Sequence, residues 1–181
     1  MNNTSSTRYD ARTIKLHWWV AAAILFMWGG AHTIDWFPKG PLRVDVRATH
    51  IVVGGVLLVA IGYRIFWRVT GGVHIKDAAN IQTITAKALH YALYLTIVTT
   101  LVLGIFNTWL RGDDLFGLGH IPQFGAYDKA SRHEFANQIV GWHRLGANLI
   151  LILAGFHALA AIGHFLVLKD KVLQRMLPFT K

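Results

Sequence analysis

Four long apolar runs, at about residues 16–34, 48–66, 85–110 and 139–168, constrain the fold of this chain more than any other feature. A helix rises about 1.5 Å per residue, so roughly 20 apolar residues match the ~30 Å hydrocarbon layer of a bilayer. Inside that layer each backbone N–H and C=O must find a partner within the protein, which for isolated runs of this length means helix. Composition agrees, with 54% of the 181 residues hydrophobic and 15% charged, against roughly 25% charged in soluble domains. The expected fold class is all-α: an integral membrane four-helix bundle, one domain over residues 1–181. The connections carry helix breakers: Asp35, Pro38, Gly40 and Pro41 in the first, Gly71-Gly72 in the second, and Gly112, Gly117, Gly119, Pro122 and Gly125 in the third and longest, at 111–137.

Orientation follows from the basic residues. Eleven Lys and Arg fall on the side of the two termini and the second connection (Arg8, Arg12, Lys15, Arg64, Arg68, Lys76, Lys87, Lys169, Lys171, Arg175, Lys181), and seven on the other (Lys39, Arg43, Arg47, Arg111, Lys129, Arg132, Arg144). That other side also carries six of the nine acids. Both termini are therefore expected in the cytoplasm. Residues 1–12 are polar, with no cleavage site after a short apolar core, so the first run is expected to be retained. The net charge of +9 comes without a basic helix or an aromatic-basic module, which argues against nucleic acid and for a lipid bilayer as the surroundings.

Histidine is the residue type that the spans distribute unusually. On one helix His143 and His157, fourteen residues apart, stand about 40° apart in azimuth and roughly 21 Å apart in height. Ionisable residues inside a membrane are functional candidates by default. With the helices alternating in direction, His50 and His143 lie at matching height near the outer end and form one candidate ligand pair. The cytoplasmic side offers His17, His90, His157 and His164. Depth pairs His17 with His164 about as readily as with His157, and His157 is preferred because it lies deeper, where a flat apolar ring gains most from leaving water. Two axial imidazoles fill the coordination of haem iron, which favours electron transfer over oxygen binding. Cysteine is absent, so cysteine-ligated clusters, thioether-attached haem and disulfides are excluded and any haem is non-covalent. Gly54, Gly146 and Ala147 lie one turn from outer histidines and would let a haem face approach, and Arg144 could neutralise a propionate. His32, His74, His120 and His133 lie in or near connections and read as solvated. Trp18, Trp19, Trp36 and Trp109 read as interfacial anchors.

The stretches Tyr9-Asp10, Leu16-His17-Trp18, Thr49-His50, Leu89-His90-Tyr91, Leu115-Phe116-Gly117, Trp142-His143, and His157 with His164 seven residues on, occur in an order in which the chain resembles the bacterial cytochrome b561 family over nearly its full length. The resemblance implies two haem b groups, with His17 and His157 on one iron and His50 and His143 on the other. It also implies a multi-pass protein of the bacterial inner (cytoplasmic) membrane that exchanges electrons between a periplasmic-side donor and the quinone pool. Some members of the family look like superoxide oxidases, which pass an electron from superoxide to ubiquinone, and Arg43, Arg47, Arg132 and Arg144 could attract such an anion. Others are haem-bearing membrane anchor subunits of dehydrogenases or hydrogenases, with a helix beyond the four counted here. His90 and His164 are candidates for contacts to a propionate or a quinone, and a homodimer is open to such a bundle. The remaining alternative, a non-redox carrier whose histidines relay protons or bind a transition metal, would lack colour.

Overall fold

A computed structural model describes residues 8–75 and 80–178, so Lys76, Lys181 and the first part of the N-terminal tail lie outside the described residues. Four helices carry the chain back and forth: α1 (Ala11–Thr33), α2 (Pro41–Thr70), α3 (Ile81–Arg111) and α4 (Lys129–Gly163). A 3-10 turn, Ile34–Trp36, extends α1, and a π-helical turn, His164–Leu168, extends α4. All four segments are long and apolar enough to cross a membrane, with mean hydropathy from 1.2 to 2.1. Among the described residues there is no strand, only an isolated bridge between Asp114 and His120.

Each helix is longer than its apolar run, because the capping residues stand outside the runs. The Asn80 side chain accepts from Thr83 N at 2.9 Å and starts α3 four residues before the run. Asp128 accepts from Ala130 N, Ser131 N and Ser131 Oγ, and starts α4 ten residues before its run. The added turns bury Ala136 beside Ile139 of the run against Leu110, with Phe106 and Phe135 packed around them. What sequence alone reads as a connection over 111–137 is therefore a loop only to Asp128. Gly112, at φ +63°, turns the chain out of α3. Arg132 gathers the loop back by donating to the carbonyls of Phe124 at 3.0 Å and Gly125 at 2.8 Å.

The middle of the bundle is a cluster of Val20, Leu57, Ile61, Ile97 and Ile150, to which every helix contributes. Phe26, Val59, Leu95 and Leu159 are instead exposed on the outside, as lipid-facing side chains should be. Since lipid tails are as apolar as leucine, the helices need close approach to hold together. Gly146 supplies it between α3 and α4: a Cβ there would overlap Thr100 Oγ1.

The first and last described residues lie at one end of the bundle, where Trp18 Nε1 donates to Met176 O at 2.7 Å and Tyr9 N to Arg175 O at 3.4 Å. Asp10 organises this end. Its carboxylate caps α1 through Thr13 N (2.9 Å) and Thr13 Oγ1 (2.7 Å) and accepts from Trp67 Nε1 (3.1 Å) on α2 and Val73 N (3.2 Å) beyond it. Desolvation pushes its pKa up, but these hydrogen bonds outweigh it and hold the carboxyl well below the usual carboxylate range.

Candidate functional site

Two histidine pairs stand at two heights in the bundle. At the end away from the termini, His50 of α2 faces His143 of α4, with ring centroids 6.2 Å apart and planes at 73°. Toward the termini, His17 of α1 faces His157 of α4 at 6.0 Å and 69°. A metal–imidazole bond of about 2.0 Å plus about 1.1 Å from nitrogen to ring centre, doubled across one ion, gives roughly 6.2 Å. Both pairs have that spacing. His90 approaches His157 at 5.1 Å, too close to share an ion from opposite sides, and so sits beside the pair. His164, which depth alone left as a partner for His17, is engaged elsewhere: its Nδ1 lies 2.5 Å from Asp170 Oδ2. That hydrogen bond, with one from Val172 N, draws the Asp170 carboxyl below its ordinary range.

The donor set decides what could be held. Among the described residues no three His, Cys, Asp or Glu side chains converge as a metal cage. Two opposed imidazoles alone do not retain a bare ion, but they complete an iron whose equatorial positions a porphyrin already fills. The residues present therefore fit haem.

His143 is held in the orientation such ligation needs. Its Nδ1 lies 2.8 Å from Thr100 O, so an N–H there donates to the carbonyl and leaves the Nε2 lone pair free. One turn along α3, a Cβ on Gly104 would stand 3.0 Å from His143 Cε1 and 3.3 Å from Nδ1. Thr100 and Gly104 thus form a seat for the ring. Sequence reasoning passes over both, although a threonine and a glycine four apart at the depth of His143 are a usable signal. It gives Gly146 to the haem face, whereas the structure gives it to the contact with Thr100 Oγ1. Gly54 has only Met27 Cε at an ordinary 3.5 Å, so helix packing does not require it.

The opposite pair has a charged neighbour. Arg64 of α2 places Nη2 3.3 Å from His17 Nδ1, Nη1 3.4 Å from Thr13 O, and donates from Nε to Tyr94 Oη at 2.9 Å.

The basic residues at the other end are mostly committed. Arg43 pairs with Asp35, which also lies 3.7 Å from the 70%-exposed Arg144. Arg47 and Arg111 each reach the buried Asp113 at 3.3 Å. Arg132, expected to draw in an anion, spends its guanidinium on loop carbonyls. His32, His74, His120 and His133 are exposed and join neither pair. Trp18, Trp19, Trp36 and Trp109 are exposed as well, as interfacial anchors would be.

Comparison with known proteins agrees with this arrangement over nearly the whole chain. Residues 8–179 match the family described as prokaryotic cytochrome b561. A probable superoxide oxidase CybB of Yersinia pestis is 26% identical over 174 residues, covering 94% of this chain and 96% of that protein. Cytochrome b561 homolog 1 of Escherichia coli K12 is 27% identical over 178 residues (96% and 99%), and cytochrome b562 of Cereibacter sphaeroides 29% over 180 (96% and 98%). Membrane-length helices, opposed histidines and this match lead to one conclusion: the chain belongs to the prokaryotic cytochrome b561 family and is a multi-pass membrane haem protein of electron transport.

Proposed function

We propose that this protein carries electrons across the inner membrane between a periplasmic-side donor and the quinone pool, using two non-covalent haem b groups. His50 with His143 would hold the outer group and His17 with His157 the inner one, both termini being cytoplasmic. The observation that carries this reading is the spacing of 6.2 and 6.0 Å in two pairs that both draw on α4. When bound, haem b supplies reversible one-electron redox chemistry. The chain's own residues do the rest. His50 with His143, and His17 with His157, would each hold one iron by two imidazoles and so leave it no open position for oxygen. The Thr100 carbonyl, accepting from His143 Nδ1–H, fixes the His143 tautomer. His164, with Nδ1 held by Asp170, and His90, beside His157, are the candidates to exchange a proton with a quinone oxygen.

Haem stoichiometry by pyridine haemochrome on detergent-purified protein tests the assignment. About two haems per chain are expected, falling to about one in His143→Ala or His50→Ala. Two haems retained in either variant would refute the outer pair.

A second reading, superoxide:ubiquinone oxidoreduction, is favoured by the Yersinia relative and by Arg144, which is 70% exposed beside His143. It expects rapid haem reduction under a superoxide flux, slowed by salt. A haem spectrum unchanged by superoxide would end it.

A further inference from the structure

Charge is distributed unequally around the two histidine pairs. At the outer end Arg43 and Arg144 share Asp35, Arg47 and Arg111 share Asp113, and Arg132 donates to loop carbonyls. At the inner end Arg64 has no carboxylate within 4 Å among the described residues. It meets only Tyr94 Oη, Thr13 O and His17 Nδ1, all uncharged. Among the described residues the acids at that end are otherwise engaged, Asp10 with Thr13, Trp67 and Val73, and Asp170 with His164. Arg64 is half-buried in the apolar bundle, where a charge is poorly screened.

We propose that Arg64 holds the inner haem at a higher reduction potential than the outer one, and so directs electrons inward. The proposal rests on the ligand assignment above. Reduction adds one negative charge at the iron, and a cation one hydrogen-bond length from the ring of an axial ligand stabilises the reduced form. When His17 Nε2 is on iron, Nδ1 carries the proton and no longer accepts from Arg64, which leaves Nη2 to another acceptor. The sign is the same whichever acceptor it takes, because removing Arg64 removes one positive charge from the neighbourhood of the iron. Outer haem and inner haem then differ in potential even with identical axial ligands.

The test is a potentiometric titration of the purified full-length protein, followed by the low-spin electron paramagnetic resonance signals of the two haems. The signal lost in His143→Ala is the outer haem and that lost in His17→Ala the inner. In the wild type the inner signal should report reduction at the higher potential. In Arg64→Met the reduced-to-oxidised ratio of the inner haem at fixed poise should fall at least tenfold, about 59 mV for one electron, with the outer haem unmoved. Arg64→Lys should recover most of the shift. An inner haem reduced last in the wild type overturns the proposal, as does an Arg64→Met variant in which neither or both haems move. If Arg64→Met lost its inner haem, the wild-type order and the titration of Arg64→Gln, which can still donate to Tyr94, would decide between the two outcomes. Histidine variants that removed neither signal would refute the ligand assignment itself, an outcome distinct from a wrong order of potentials.

Discussion

Gly104→Ala adds a single methyl group against the His143 ring. The new Cβ would stand 3.0 Å from Cε1 and 3.3 Å from Nδ1, while carbon–carbon contacts become favourable from about 3.5 Å. The ring must therefore move about 0.5 Å, away from the geometry in which Nδ1 meets Thr100 O at 2.8 Å. Overpacking of this kind costs about 1–3 kcal/mol, and loss of a group that orients a metal ligand typically costs about 10–100-fold in affinity. The two figures agree, since 1.4 kcal/mol is about tenfold. The helix itself gains up to about 1 kcal/mol from replacing glycine by alanine. The expected outcome is thus a dissociation: haem affinity at the outer site falls about tenfold to a hundredfold, while the thermal midpoint of the protein in detergent holds or rises. Haem titrated into stripped protein, followed by absorbance, reads the first, and circular dichroism melting reads the second. Gly55→Ala is the control, because nothing lies within 4 Å of a Cβ there. An unchanged haem affinity in Gly104→Ala, or equal loss at both sites, would refute the claim that this glycine seats the ring.

Gly146→Ala should destabilise the bundle as a whole by about 1–3 kcal/mol, because its Cβ meets Thr100 Oγ1; Thr100→Ala in the same chain should recover most of the loss, read as a double-mutant cycle of thermal midpoints. Asp10→Ala should cost about 1 kcal/mol through the lost cap alone. Because the Asp10 pKa is depressed on folding, its contribution is complete above the unfolded value of about 3.9 and is lost as pH falls below it. The difference in thermal stability between wild type and Asp10→Ala should therefore be constant from neutral pH to about 5 and shrink below about 4.

The number and order of the helices are legible in the sequence because hydrophobic length is nearly sufficient in a bilayer. Their ends are not, because Asn80 and Asp128 cap turns whose residues are too polar to extend the apolar runs. Only Leu110, buried by Ala136 and Ile139, explains why those turns of α4 persist. At the site, the two heights of histidine can be read from spacing, and His50 faces His143 while His17 faces His157. The surroundings are harder to read. Thr100 and Gly104 acquire meaning only when α3 is placed against His143, and Arg64 looks like one more basic residue at a span end until His17 and Tyr94 are set beside it. The outer arginines mislead for the same reason, since counting charges along a chain does not reveal that Asp35 and Asp113 stand among them.

The pairing pattern also bears on biogenesis. His17 and His50 belong to α1 and α2, while their partners both lie in α4, beyond residue 140. A chain emerging from the ribosome has half of each pair inserted in the bilayer long before either can close. Both close in one late event, the docking of the last helix, and Asp128, Ala136 and Gly146 are the residues that make that docking firm. On the proposed ligand assignment, a premature stop anywhere before His143 would thus erase both sites together.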